Sequence, residues 1–574
     1  MKKLYRYIGV LTIGLFLGSC NDFLESVDEN LLSEEYLMED PAYAEGVLLN
    51  AYKSVISSTS FSEVATDDAV HNQLGNGYRN IATGQLSSTN NAASRWGKYE
   101  SVFYINKFLP TVDVVQWSMN EEINELFQFR LKGEALALRA LHHFYVLEGH
   151  AGYGDNSGQL LGIPYYTEFV EADGNFNVPR LTFTETIDEI IADLDEAIEL
   201  LPMDYSDSDS DIPLKYQSYD PNNYRQVMGA QNTLRMTGRI AKAIKARVAL
   251  FAASPAYLNG GGYYEIAAQI AAELINDMGG VTALDPNGIE FYNEDSDADL
   301  DELLWRASVY SGSSLESNNF PPSLNGNGHV NPSENLVRSF PMLDGFPIDD
   351  SNGIYTYSIN TPYVNRDPRL EKYILYNNGR IGNNTIMTGY GAGIDRVDSV
   401  MEKSTRSGYY LKKMLRPDVK INNDGSIIAQ KRFNSYFRYT ELFLILAEAA
   451  NEIGGKDYAV DGITPNDVIL ALRNRAGIEN PENYLSSIGS PEEMREVIRN
   501  ERRLELCFEG FRFWDLRRWK DDLSESANGL YYNGTTYEDL LDVEARIYPD
   551  YGHYMPIPDA DVRRFSNIEQ NTGW

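Results

Sequence analysis

Between Thr182 and Pro202 the residues Ile187, Ile190, Ile191, Leu194, Ile198 and Leu201 recur at spacings of three and four. An α-helix gathers such a set onto one face, whereas a strand would scatter it over both. Thr182 and Glu185 supply the two halves of a capping box, and Pro202 is the stop. Ser490-Pro491-Glu492-Glu493 repeats the device with proline at the first helical position, and Thr464-Pro465 opens a shorter helix that Gly477 closes. The same periodicity predicts helices near 96–114, 127–148, 237–253, 263–277 and 436–452, coming in pairs. Alanine stripes, Ala241, Ala243, Ala246 and Ala249 in one helix and Ala447, Ala449 and Ala450 in another, let neighbouring helices approach closely. Ala140 and Phe144 match the Ala-x3-Phe element of a tetratricopeptide unit. The fold class expected is all-α, a scaffold of tetratricopeptide-like hairpins over 42–200, 235–278 and 436–520.

Between the helical blocks the texture changes. Segments 201–234, 279–435 and 521–554 are rich in Asn, Gly, Ser, Asp and Tyr, the composition of long functional loops. Their scattered aromatics argue against disorder. With 574 residues and 43% apolar side chains the chain can build an extensive core. Its 49 Lys and Arg against 84 Asp and Glu leave a formal charge of −35. That field repels phosphate backbones and anionic lipid, so neither nucleic acid nor an anionic membrane surface is an expected electrostatic partner.

Lys2, Lys3 and Arg6 precede an apolar stretch, Ile8 to Leu17, that is too short to span a bilayer. Leu17-Gly18-Ser19-Cys20 then resembles the lipobox of bacterial lipoproteins, in which the cysteine sulfur receives a diacylglycerol and the new amino terminus a fatty acid such as palmitate. The expectation is a signal peptide over 1–19, a mature domain over 20–574 and Cys20 as the lipidation site. Cys507, the second of two cysteines, then has no disulfide partner within the chain.

Several stretches, taken in order, resemble one family. Cys20-Asn21-Asp22-Phe23-Leu24 is followed by Leu138-Arg139-Ala140-Leu141-His142-His143-Phe144 and Gly152-Tyr153-Gly154. Arg366-Asp367-Pro368-Arg369, Arg438-Tyr439-Thr440-Glu441, Arg473-Asn474-Arg475-Ala476-Gly477 and Glu501-Arg502-Arg503-Leu504-Glu505 come next. Glu509-Gly510-Phe511-Arg512, Asp515-Leu516-Arg517-Arg518-Trp519 and the final Gln570-Asn571-Thr572-Gly573-Trp574 complete the series. The chain resembles the SusD/RagB lipoproteins of the outer membrane. That resemblance implies four helical hairpins packed against a larger irregular region, a shallow ligand site on the irregular side, and a SusC-like TonB-dependent transporter as partner on the helical side. It also implies surface exposure on a lipid anchor.

The residues set their own expectations. Met494, Val497, Ile498, Leu504 and Phe508 mark an apolar face on which Glu501 and Glu505 fall, so these carboxylates need cations, for which Arg438, Arg502, Arg517 and Arg518 are available. Adjacent His142 and His143 lack zinc-helix spacing, and neither a nucleophile elbow nor a phosphate loop occurs. No enzyme activity, metal or cofactor is therefore expected. Asp207-Ser208-Asp209-Ser210-Asp211 and Asp295-Ser296-Asp297-Ala298-Asp299 read as solvated acidic loops, with a surface calcium ion as the alternative. A glycan needs aromatic rings for its C–H faces and short polar side chains for its hydroxyls. Two segments offer both: Asp67, Asp68, Asn72, Tyr78 and Arg79, and Trp305, Tyr310, Asn318, Asn319, Phe320, Asn325 and His329. Trp96 and Trp519 are assigned to the core. The expected function is binding of oligosaccharide or polysaccharide for delivery to the transporter; the alternatives are binding of peptides or another nutrient, and a lipid-anchored glycan hydrolase.

Overall fold

The computed structural model describes residues 34–171, 173–293 and 300–574. The leader, Cys20 and the acidic run Asp295 to Asp299 lie outside the described residues. Ten helices carry the scaffold: α1 (Pro41–Lys53), α2 (Tyr99–Phe108), α3 (Glu121–His150), α4 (Phe183–Leu200), α5 (Gly238–Ala253), α6 (Tyr263–Met278), α7 (Tyr439–Gly454), α8 (Pro465–Ala476), α9 (Pro491–Glu505) and α10 (Arg512–Trp519). Consecutive helices pair as α1/α2, α3/α4, α5/α6 and α7/α8, and each hairpin stacks on the next through α2 on α3, α4 on α5 and α6 on α7. These are the four tetratricopeptide-like hairpins expected, with α9 closing the stack against α7.

The helix starts follow from local chemistry. Capping boxes are present at Thr182, Thr464 and Ser490, and Gly477 ends α8 in the left-handed region at φ +86°. Helix α3 begins six residues before its apolar period because the Asn120 side chain accepts hydrogen bonds from the backbone N–H groups of Glu122 and Ile123. The segment expected as one helix over 96–114 instead begins and ends in 3₁₀ turns, the second holding Pro110, whose ring nitrogen has no hydrogen to donate. The alanines of α5, α6 and α7 are fully buried where these helices meet.

Short antiparallel ladders organise the irregular region. The strands that matter below are β1 (Ala69–His71), β2 (Leu303–Arg306), β3 (Tyr310–Gly312), β4 (Val330–Pro332), β5 (Gln430–Arg432), β6 (Ser435–Arg438), β7 (Ala527–Tyr532) and β8 (Tyr537–Glu544). They pair as β1 with β4, β2 with β6, β3 with β5 and β7 with β8. Strand β6 runs directly into α7, so the ladders are tied to the scaffold.

Ion pairs join the two halves. Arg369 is fully buried and bonds Asp367, Glu501 and Glu505 at 2.7, 2.5 and 3.0 Å. Arg473 takes the other Glu501 oxygen, Arg475 bridges Glu505 and Glu302, and Arg438 bridges Glu302 and Glu509. Burial pushes the Glu505 carboxyl up, but Arg475, Arg369, Arg438 and Lys413 outweigh it and hold it at about 2. The ionic role expected for Glu501 and Glu505 is thus present with different partners. Of the four arginines named from the sequence only Arg438 reaches this cluster, at 3.9 Å from Glu505. Arg502 pairs with Asp515, Arg518 with Asp515 and Glu448, and Arg517 lies 3.5 Å over the Phe513 ring. The sequence offered the cations but not the packing that brings Arg369, on the short helix Pro368–Tyr373, and Arg473 and Arg475, on α8, to the glutamates. Cys507 is a free, buried thiol that burial pushes up to about 12, which makes it inert.

Candidate functional site

The two segments singled out for ligand contact meet through the β1–β4 ladder, which sets His71 opposite Val330. Asn72 fixes the junction: its N–H donates to the His329 carbonyl, and its side-chain amide donates to the Asn327 and Gly328 carbonyls at 3.0 and 2.7 Å. The His71 and His329 rings then lie 5.0 Å apart at 34°. Arg79 and Arg406 both bond Glu544 on β8, at 2.6 and 2.5 Å, and Arg406 also donates to the His71 carbonyl. Asn318 stands exposed beside His329 and accepts its N–H. Glu402, exposed, accepts the N–H of Leu74, which is 59% exposed. The result is a patch at which the half-buried His329 ring reaches the surface, backed by the buried His71 ring (7% exposed) and bordered by two guanidinium groups, amides, carboxylates and the exposed Leu74.

Its electrostatics favour neutral imidazoles. Burial first, then His329 and Arg79, push His71 down to about 4, and burial lowers His329 as well. Near neutral pH each ring carries one donor and one acceptor, but His71 Nδ1 already accepts the Gln73 N–H, which leaves its Nε2–H as the donor. Burial opposes ionisation of Glu544, but Arg546 and Arg406 hold it below the usual carboxylate range. Two polar atoms at the patch are buried without a hydrogen-bond partner, Asn72 Oδ1 and Arg79 Nη1, and such groups are costly unless something completes them. The arrangement can bind hydroxyls and stack on an apolar ring face. It presents no nucleophile with an adjacent base, and the described residues hold no cluster of three metal-ligating side chains.

The other residues named from the sequence lie elsewhere: Trp305, Phe320, Asp67, Asp68 and Asn319 are buried, while Tyr310 and Asn325 are exposed away from the histidine pair. Trp305 is 3% exposed, donates its ring N–H to the Leu234 carbonyl and packs on Tyr436 in the helical core. Phe320, also 3% exposed, packs with Leu375, Ile381 and Tyr410. Neither ring offers a free face for stacking. Asp67 and Asp68 are buried under Arg503 and Arg512, where the two guanidinium groups overcome burial and hold Asp67 at about 2. Asn319 is buried and accepts the Val330 N–H, so it supports β4 from beneath. Tyr78 sits edge-on to Phe513 in a small core, half-buried. Tyr310 is 40% exposed on the β3–β5 ladder, and Asn325 is exposed with its amide on the Ile421 carbonyl. The site residues missed were His71, Arg406 and Glu544. His71 could have been found, because it adjoins Asn72 in a chain with only six histidines; the other two carry no local signal.

Elsewhere, His142 and His143 are fully buried, Trp519 is buried and Trp96 is half-buried against Tyr99 and His150. In the first acidic run Asp209 pairs with Arg225, Asp207 accepts the Ala230 N–H and Asp211 accepts the Ser206 hydroxyl, so its carboxylates are engaged by protein donors.

Two family models cover most of the chain: one described as the SusD family over 295–574, and one described as starch-binding associating with outer membrane over 21–215. The chain belongs to the SusD family. The SusD-like protein P38 of Formosa agariphila is 33% identical over 119 residues, which is 20% of this chain and 21% of that protein, so the match spans about a fifth of the relative's length. A solved SusD-like protein from Bacteroides fragilis aligns over 94% of this chain and 99% of its own, with TM-score 0.71 and 22% identity. A SusD-like carbohydrate binding protein from the same species aligns over 93% and 99%, with TM-score 0.69 and 20% identity. These likenesses give this SusD-family chain its tetratricopeptide-like fold. No helix among the described residues is long and apolar enough to cross a membrane.

Proposed function

We propose that this SusD-family protein is a surface lipoprotein that holds an oligosaccharide or polysaccharide at the His71–His329 patch and passes it to a SusC-like TonB-dependent transporter, without cleaving it. The observation that carries the reading is the patch itself: a ring pair beside two arginines, with two unpartnered buried polar atoms, has the chemistry that hydroxyl-rich rings need. Support for a glycan comes from the carbohydrate binding protein of Bacteroides fragilis, which shares the fold. Support for an outer-membrane setting comes from the description of the second family model. Lipid on Cys20 would hold the protein there through acyl chains worth about 0.8 kcal/mol per buried methylene.

Purified protein run through gels containing soluble polysaccharides should be retarded by at least one of them, and the polysaccharide recovered should show no shortened products. Retardation by peptides alone would move the ligand to another nutrient class, and new reducing ends would contradict binding without cleavage. Separately, Cys20→Ala is expected to shift the expressed protein from the detergent phase to the aqueous phase. Undiminished detergent partitioning would rule out Cys20 as the anchor.

A further inference from the structure

Residues 387–402 form a loop that leaves several apolar side chains in solvent. Met387, Tyr390, Ile394 and Met401 are 43%, 64%, 50% and 83% exposed. That exposure is fixed, because the loop is pinned along its length. The Asn377 side-chain carbonyl accepts the N–H groups of Thr388 and Gly389 at 2.9 and 3.1 Å. The buried Asp395 carboxylate accepts the Ser323 N–H at 2.8 Å, and the Asp395 backbone carbonyl accepts the Tyr410 hydroxyl at 3.1 Å. The Ser404 hydroxyl donates to the Ile394 carbonyl while its oxygen accepts the Val400 N–H. Apolar side chains held in water by such a frame mark a contact surface.

The loop joins two places. At one end Tyr390 sits on the turn of the β7–β8 hairpin, where its N–H donates to the Tyr532 carbonyl at 2.7 Å. Gly534, at φ +102°, leaves the room this ring needs, since a Cβ there would come within 3.0 Å of the ring's Cδ1. With most of the residue still in solvent, the ring keeps an open face. At the other end Glu402 accepts the Leu74 N–H, and the Lys403 carbonyl packs against Gly328, one residue before His329. Met401 therefore stands beside the histidine patch. Strand β8 measures the separation: Tyr537 pairs with Tyr532 at the turn, and Glu544 bonds Arg79 and Arg406 at the patch. The strand between Tyr537 and Glu544, at about 3.3 Å per residue, puts the two ends about 20 Å apart.

The exposed charges of the loop, Arg396 and Lys403 against Asp398 and Glu402, cancel, and the formal charge of −35 on the whole chain disfavours a polyanion. We propose that a neutral polysaccharide seated at the histidine patch continues along this loop, with a sugar ring stacked on Tyr390 about 20 Å from the patch. The open ring face of Tyr390 receives the C–H face of a sugar, and Ile394 and Met401 supply apolar contact between the two ends. A ring already seated on the turn loses little freedom when the sugar arrives. The inference rests on the polysaccharide reading of the patch and adds to it a second contact that only a long ligand reaches.

The test compares long and short ligands on the full protein. Soluble starch, laminarin, arabinoxylan and galactomannan are cast into affinity gels, and the trisaccharides of their backbones, each shorter than the span from the patch to Tyr390, are titrated by calorimetry. For a polysaccharide that retains the wild type, Tyr390→Ala should weaken retention about five- to tenfold, and Tyr390→Phe, which keeps the ring, should stay close to wild type. The matching trisaccharide should bind wild type and Tyr390→Ala equally, and one melting temperature should serve all three proteins because the side chain is largely in solvent. Undiminished polysaccharide retention in folded Tyr390→Ala would overturn the inference and leave this loop to a protein partner, with the polysaccharide reading of the patch intact. A trisaccharide weakened as much as the polysaccharide would also overturn it, by making Tyr390 part of the patch itself. Retention by none of the four polysaccharides would remove the glycan reading and this extension of it together.

Discussion

Replacing Arg369 by Ala is expected to destabilise the protein by about 3–5 kcal/mol, the cost of leaving a buried charge cluster without its cation. Arg369 has no exposed surface and bonds three carboxylates, those of Asp367, Glu501 and Glu505, of which the glutamates belong to α9 and Asp367 to the irregular region. Truncation removes four N–H donors' worth of pairing from acids that remain out of water. Arg473 and Arg475 hold the second oxygen of each glutamate but cannot reach Asp367 in the structure's pairing. A control is Lys132→Ala, which removes a pair with Glu196 whose side chains are 43% and 49% exposed and should change stability by no more than about 0.5–1 kcal/mol. Urea unfolding of the two variants checks the contrast. Indistinguishable midpoints would mean that the cluster is solvated or redundant.

The second large effect is acid sensitivity above the ordinary carboxylate range. Burial pushes His142 and His150 down to about 3 and His71 to about 4, and holds His143 well below its usual value. Their partners explain why the neutral form is built in. His143 gives Nδ1–H to the Arg139 carbonyl while its Nε2 accepts the Tyr166 N–H, and His150 gives Nδ1–H to the Pro556 carbonyl while its Nε2 accepts the Arg95 N–H. A second proton on either ring would point at a donor. In the unfolded chain all four titrate near pH 6.5, so below that value the unfolded state binds more protons and stability falls as pH falls. Glu63 acts in the opposite direction: burial raises it to about 7, so its folded form takes up a proton below pH 7 that the unfolded form takes only near 4.5. His329, which burial also lowers, adds to these four, and five histidines against Glu63 leave a net uptake of protons by these groups on unfolding between pH 6.5 and 5. The urea midpoint should therefore drop steeply between pH 7 and 5.5. A flat or rising midpoint over that interval would show that the buried imidazoles are not held neutral.

Much of the scaffold was legible because its signals are local. Capping boxes at Thr182 and Ser490, the αL glycine at Gly477 and the alanine stripes depend on residues within a few positions of one another, and each appears where expected. The irregular region was less legible because its order comes from distant pairings. Trp305 and Phe320 sit in polar stretches without apolar periodicity, which made them look like surface rings, yet β2 pairs with β6 and carries Trp305 into the helical core. The candidate site was half legible. Asn72, Arg79 and His329 were named from composition alone and do meet, but only the β1–β4 ladder brings His71 to His329, and only the β7–β8 hairpin delivers Glu544 to the two arginines. Arg369 was missed as the cation of α9 for the same reason.

The central claim is that ligand is held at the histidine patch by ring stacking and hydrogen bonding. It is tested most directly by the dissociation constant of the retained polysaccharide for the wild type, His329→Ala and His329→Phe. The account predicts about a tenfold loss for alanine, partial recovery for phenylalanine, which restores a ring face, and one common melting temperature. Equal affinity for all three folded proteins would place the ligand elsewhere.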